Sequence, residues 1–137
     1  MINFRLLIRA DETKDKSQPV TRKNSGENIN SIIDSSLEID KNSQSDKRVM
    51  IICGPNAAPF EIFAYSDRWI DYYLDYGVSV FLWNYRGFGE SQGSINFNNM
   101  KIDAVSVCEL LKNEYKFSKI GVHGISVGGI AACHLAE

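Results

Sequence analysis

A serine stands between two glycines in the run Gly124-Ile125-Ser126-Val127-Gly128. Residues 119–123 are mostly apolar and typical of a buried strand, whereas residues 127–136 include small side chains typical of a closely packed helix. A serine on such a sharp strand-to-helix turn can act as the nucleophile in acyl transfer, and the flanking glycines Gly124 and Gly128 avoid a collision across the turn. The alternative is a tight turn that needs only its glycines.

Acyl transfer also needs N–H donors for the negative oxygen of the tetrahedral intermediate. The N–H of Val127, directly after the serine, is the first candidate. The second donor is expected in the loop after the first central strand, where Pro55 has no N–H, so that Asn56 is favoured and Ala57 is next. The alternative for this loop is a rigid turn bracketed by prolines.

A second glycine-containing loop, Asn-Tyr-Arg-Gly-Phe-Gly-Glu-Ser, spans residues 84–91. Its glycines resemble a phosphate-binding pattern, but Gln92 stands where the third glycine should be and no helix begins at once. This departure argues against a dinucleotide site. We expect Arg86 and Glu90 to hold the shape of the loop beside the site; the alternative role for Arg86 is contact with an anionic group of the substrate.

A serine nucleophile needs a general base, and the chain has two histidines. His134 lies eight residues beyond Ser126 on the predicted helix, about 12 Å away at the helical rise per residue. His123 lies on the strand before the turn, where the backbone holds it. We expect both to be packing or helix-surface residues and neither to be the base.

The elements around these residues alternate between strand and helix. Strands are predicted at 49–53, 78–83 and 119–123, because each is a run of mostly apolar residues. Helices are predicted at 63–76, ended by Gly77, and at 127–136. A third helix is predicted between them, with Asn98 as its N-cap. Its buried face would consist of Ala104, Cys108, Leu111 and Tyr115. This order predicts an α/β fold, a three-layer sandwich with a mainly parallel sheet.

Composition excludes several classes of protein. The chain has 137 residues, 44% of them hydrophobic and 23% charged, with a net charge of −2, so no overall field favours nucleic acid. The three cysteines share no metal-ligand spacing, and we expect free thiols in a reducing, cytoplasmic compartment, with no metal or cofactor. No apolar run approaches the roughly 20 residues of a membrane-spanning helix.

Composition also divides the chain near residue 48. Residues 11–47 are polar and lack aromatic residues, so residues 1–48 are predicted to be a partly disordered leader, with a possible strand within residues 1–10. A weak apolar patch within this leader suits either a short strand or a helix: Ile29, Ile32, Ile33, Leu37 and Ile39. Residues 49–137 are the predicted globular unit.

Three blocks in the order and spacing seen here, at 53–61, 83–91 and 124–129, resemble α/β-hydrolase-domain proteins of the Bem46-like group. Within that group, residues 49–136 are most similar to the phosphatidylserine and monoacylglycerol lipase branch. The resemblance implies a sheet with strand 49–53 in the middle, Ser126 as nucleophile, and Asn56 with Val127 as oxyanion donors. Ala58 replaces a usual glycine.

The resemblance also implies the substrate class. The expected reaction is hydrolysis of carboxylic esters, with lipid esters such as acylglycerols or phospholipids as substrates, a serine acyl-enzyme as intermediate, and contact with a membrane surface as a further expectation. The family order is Ser, Asp, His, so both later members of the triad would lie beyond Glu137. The alternative is an inactive truncated hydrolase or a non-enzymatic binding protein of the same fold.

Overall fold

The computed structural model describes the backbone of residues 5–8, together with residues 47–56, 59, 60, 62 and 68–137. The apolar patch predicted between Ile29 and Ile39 lies outside these residues, as do Ala57, Ala58 and the predicted start of the first helix.

Four strands form one sheet: β1 (Arg5–Ile8), β2 (Arg48–Cys53), β3 (Ser79–Trp83) and β4 (Lys119–Gly124). Their order is β1-β3-β2-β4; β2 runs parallel to both β3 and β4, whereas β1 pairs with β3 in the antiparallel direction. Every residue of β3 is buried, as a strand covered on both faces requires. The central position predicted for strand 49–53 is confirmed, and residues 5–8 form a strand as expected.

Helix α1 (Arg68–Asp75) ends as the sequence predicts. Gly77 adopts a left-handed φ of +68°, its N–H donates to the Leu74 carbonyl, and the N–H of Val78 donates to the Tyr73 carbonyl. This pair of bonds is the Schellman motif, in which glycine takes the left-handed position without a steric penalty.

Helix α2 (Phe97–Asn113) begins at a different asparagine from the one predicted. The cap is Asn96, whose side-chain oxygen accepts the N–H of Asn99 at 2.8 Å, so the prediction of Asn98 is wrong. The first buried residue of the helix, Met100, donates its N–H to the Asn96 carbonyl, so the first turn closes on Asn96. Of the predicted stripe, Ala104 and Leu111 are buried, while Cys108 and Tyr115 are partly buried against the same core.

Two apolar cores lie on opposite faces of the sheet. Alternate residues of β2, such as Ile51, pack with α2 and with α3 (Gly129–Ala136) on one face. The other set, such as Ile52, packs with α1 on the other face. The three-layer α/β architecture is therefore confirmed. Within the described residues, no helix is both long enough and apolar enough to cross a membrane.

Candidate active site

Ser126 lies on a tight connection between β4 and α3. A single 3-10 turn, Ser126–Gly128, links the two elements. The N–H of Gly128 donates to the Ile125 carbonyl, and the N–H of Gly129 donates to the Ser126 carbonyl. Ser126 itself has a φ of +54°, a left-handed conformation that side chains other than glycine rarely adopt. The serine is solvent-exposed at the carboxyl end of a parallel strand.

Glycine is required on both sides of Ser126 for steric reasons, and the atoms that a side chain would meet differ between the two positions. A methyl carbon on Gly128 would overlap the Cys53 carbonyl oxygen and lie 2.6 Å from the Gly54 carbonyl oxygen. A methyl carbon on Gly124 would lie 2.7 Å from the Gly129 Cα atom. The turn is therefore pressed against the end of β2 on one side and against its own helix on the other, and neither contact leaves room for a side chain.

The loop after β2 begins in contact with this turn. The N–H of Ile125 donates to the Cys53 carbonyl at 3.0 Å, which extends the β2–β4 pairing by one residue. Asn56 follows shortly after and is exposed. Within the described part of the chain, the N–H of Val127 makes no hydrogen bond. The structure thus brings the two segments that carry these predicted donors together, whereas Ala57 lies outside the described residues.

The loop after β3 packs beside the loop after β2. The Tyr85 hydroxyl donates to the Gly54 carbonyl at 3.2 Å, and the Asn84 side-chain oxygen accepts the N–H of Phe60 at 2.9 Å. Ser91 closes the loop on itself, with its hydroxyl donating to the Asn84 carbonyl at 3.2 Å. Loops that follow neighbouring parallel strands meet at one edge of the sheet, and these bonds fix how they meet.

Arg86 pairs with a carboxylate that sequence reasoning missed. Its Nε donates to both carboxylate oxygens of Asp103 on α2, at 2.9 and 3.0 Å, and its Nη2 donates to Oδ1. Asp103 is 1% exposed, and its hydrogen bonds to the guanidinium raise the pKa of Arg86. Glu90, which we expected to hold the shape of the loop together with Arg86, is exposed, and the partner of Arg86 is Asp103 instead. The available signal was an aspartate at a core-facing position of a helix, which rarely stays buried without a partner.

Both histidines contact neighbouring residues other than Ser126. His123 Nδ1 lies 3.0 Å from the Tyr73 hydroxyl, and its ring packs edge-on against Trp69 with centroids 5.1 Å apart. His134 Nδ1 lies 3.6 Å from a carboxylate oxygen of Glu137 at the end of α3. These contacts fit the packing and helix-surface roles expected from the sequence.

The three cysteines are free thiols that differ in exposure. Burial raises the pKa of the Cys53 thiol to about 12 and also raises the pKa of Cys108. Cys53 therefore stays protonated near neutral pH and is a poor nucleophile, although it lies at the end of β2 next to the Ser126 turn. Within the described residues, no group of three His, Cys, Asp or Glu side chains could hold a metal ion.

The fold is similar to two solved structures. A homologue of α/β serine hydrolases from Coxiella burnetii matches 68% of this chain and 47% of its own, with a TM-score of 0.59 and 20% identity. An esterase of Pyrococcus furiosus matches 68% of this chain and 38% of its own, with a TM-score of 0.57 and 26% identity. Together with the strand order, these matches show that the chain has part of the α/β-hydrolase fold.

One sequence relative is closer in identity. An uncharacterised membrane protein of Saccharomyces cerevisiae is 37% identical over 100 residues, which make up 71% of this chain and 34% of the yeast protein. No protein-family model matches the chain. The chain therefore spans about a third of this relative and less than half of either solved structure.

Proposed function

We propose that Ser126 is the nucleophile of a serine ester hydrolase and that residues 124–128 form its nucleophile elbow. The observation that carries the proposal is the left-handed φ of Ser126 between two glycines that tolerate no side chain. A non-glycine residue held in this conformation costs about 1–3 kcal/mol, and such strain clusters at functional sites. A turn that needed only to change direction would be better served by glycine at this position as well.

The proposed chemistry is two-step acyl transfer. The Ser126 oxygen attacks the ester carbonyl while its proton passes to a base, and the tetrahedral intermediate collapses to release the alcohol, which takes up that proton. Water then attacks the acyl-enzyme, releasing the carboxylic acid and restoring the serine. The N–H groups of Val127 and of Asn56, with Ala57 as the other candidate in that loop, would stabilise the negative oxygen in both steps.

The base is proposed to come from sequence that follows α3. His123 and His134 contact Tyr73 and Glu137 through Nδ1, and the backbones of β4 and α3 hold these histidines in place. In the order Ser, Asp, His, the remaining two members of the triad would follow Glu137.

Lipid esters are the proposed substrates, and membership in the Bem46-like lipase branch is part of the same proposal. The three sequence blocks at 53–61, 83–91 and 124–129 support it. The yeast relative is described as a membrane protein, which supports contact of this protein with a membrane surface. The three free thiols support a reducing, cytoplasmic location.

A fluorophosphonate probe tests the nucleophile. We expect it to label the polypeptide encoded by the open reading frame that contains this chain, and we expect Ser126→Ala to abolish labelling. Ser106→Ala is the matched control, because Ser106 is an exposed serine on α2 and its loss should leave labelling unchanged. No labelling of the wild-type protein, or labelling that survives Ser126→Ala, would contradict the proposal.

The same probe separates the enzyme from the non-catalytic alternative. Labelling of Ser126 in the 137-residue chain alone would exclude an inactive protein. For the substrate class, we expect hydrolysis of p-nitrophenyl esters to rise with acyl length and with added phospholipid vesicles. Equal rates for acetate and long-chain esters would contradict the lipid assignment while leaving the nucleophile intact.

A further inference from the structure

Two buried hydrogen bonds tie the loop after β2 to the loop after β3. Tyr85, which is 3% exposed, donates its hydroxyl to the Gly54 carbonyl, and Asn84 accepts the N–H of Phe60. The proposed mechanism uses neither side chain, although both bonds lie close in sequence to Asn56. The bond at Gly54 lies two residues before Asn56 in the chain, and the bond at Phe60 lies four residues after it.

The covalent geometry between Gly54 and Asn56 lets the hydrogen bond of Tyr85 restrict the orientation of the Asn56 N–H. Its acceptor is the carbonyl of the Gly54–Pro55 peptide, so the bond fixes the plane of that peptide. The ring of Pro55 fixes the next dihedral, φ, near −65°. Only the ψ angle of Pro55 then separates the anchored carbonyl from the peptide that carries the N–H of Asn56.

The tyrosine is itself held firmly. Its ring packs edge-on against Trp83, with centroids 4.5 Å apart, and against Phe88, with centroids 5.9 Å apart. Burial raises the pKa of its hydroxyl, which therefore remains a protonated donor over the whole neutral range. A rigid, protonated donor can fix the acceptor peptide without moving itself.

We infer that Tyr85 is the positioning residue for the oxyanion donor at Asn56, with Asn84 as the second tie on the same loop. The inference rests on the proposed function, because it assigns a catalytic consequence to the loop geometry. Tyr85 would act through the backbone of Gly54 and Pro55 and would not touch the substrate.

Tyr85→Phe removes the hydroxyl and keeps the ring. We expect kcat for ester hydrolysis, and the rate of fluorophosphonate labelling, to fall between about tenfold and a hundredfold, the range that a misplacement of about 1 Å produces. KM should stay unchanged, because the oxyanion contact forms in the transition state. Hydrogen exchange in the peptide that covers residues 54–60 should become faster.

Tyr115→Phe is the matched control. Tyr115 packs against the same core through Phe81, with ring centroids 6.5 Å apart, and it has no contact with the loop after β2 among those the structure shows. We expect wild-type kcat and wild-type exchange in residues 54–60. Asn84→Ala removes the bond to the N–H of Phe60 and should likewise lower kcat and speed up exchange in residues 54–60. With two variants, the inference can still be tested if one of them fails to fold.

The two readouts separate the inference from the proposed function. If the wild type is labelled and Tyr85→Phe matches it in kcat and exchange, the inference is overturned and the function stands. If the wild type is not labelled but exchange is faster in Tyr85→Phe, the function is overturned and the loop tie stands. A fall in kcat that Tyr115→Phe shares equally would also overturn the inference, since it would reflect the core and not the loop.

Discussion

The Ser126 turn (residues 124–129) and the Arg86 loop (residues 84–91) both follow parallel strands at the same edge of the sheet. They are held in place by different kinds of contact. The Ser126 turn is fixed by close backbone contact, with Gly128 against the carbonyls of Cys53 and Gly54. The Arg86 loop is fixed by side chains that reach outward, to Asp103 on α2 and to the loop after β2. The Ser126 turn therefore requires glycines, which leave room for backbone contact, whereas the Arg86 loop requires particular side chains, which form hydrogen bonds.

This difference predicts how each region responds to mutation. A close-packed backbone contact has no spare volume, so any added atom must move two elements apart. A hydrogen-bonded loop loses stability when one partner of a bond is removed, and this loss is not additive with replacement of the other partner.

The largest effect is expected at Gly128. Gly128→Ala should lower the free energy of unfolding by about 3 kcal/mol, the upper end of the usual range for overpacking, since the added carbon overlaps backbone that cannot rotate away. Gly129→Ala is the control, because a methyl group there meets no atom within 4 Å, and it should change stability by less than about 1 kcal/mol. Urea unfolding measures both. Equal stability of the two variants would refute the steric account of the Ser126 turn.

An intermediate effect is expected at the Arg86–Asp103 pair. Arg86→Met should lower the Tm more than Asp103→Leu, because it leaves a carboxylate buried without its counter-charge. The double variant should regain most of the loss, since it removes the buried carboxylate together with its partly exposed counter-charge. Thermal unfolding of the four proteins forms a double-mutant cycle. Additive losses would show that the Arg86 loop is not held by this pair.

The smallest effect is expected at Ser126 itself. Ser126→Gly should be more stable than Ser126→Ala by about 1 kcal/mol, because only glycine adopts the left-handed conformation without a penalty. Ser106 in the middle of α2 should show the opposite sign, with alanine favoured over glycine by up to about 1 kcal/mol. The same sign at both positions in chemical unfolding would mean that the turn stores no strain.

Local chemistry made several features predictable. Continuous apolar runs gave β2 and β3 within a residue or so, and Gly77 marked the end of α1, because an apolar run and a glycine's left-handed conformation are local properties. The position of β4 was also predicted within a residue, but its predicted burial is wrong, since its residues are only partly buried or exposed. The cap of α2 was mistaken because Asn96 and Asn98 are equally able to cap. The hydrogen bonds of the first turn distinguish them, since Asn96 accepts the N–H of Met100 at its carbonyl and the N–H of Asn99 at its side chain.

The sequence by itself determined the α/β order, the turn at Ser126 and the neighbouring loops as the place where chemistry is expected. Tertiary structure decided which groups meet there: Asp103 with Arg86, Tyr85 with Gly54, and Gly128 with the carbonyl of Cys53. The physical reason is that turns and strands follow from interactions a few residues long, whereas these contacts join residues 17 to 75 positions apart. Such pairings depend on the packing of whole helices and strands, which no local pattern encodes.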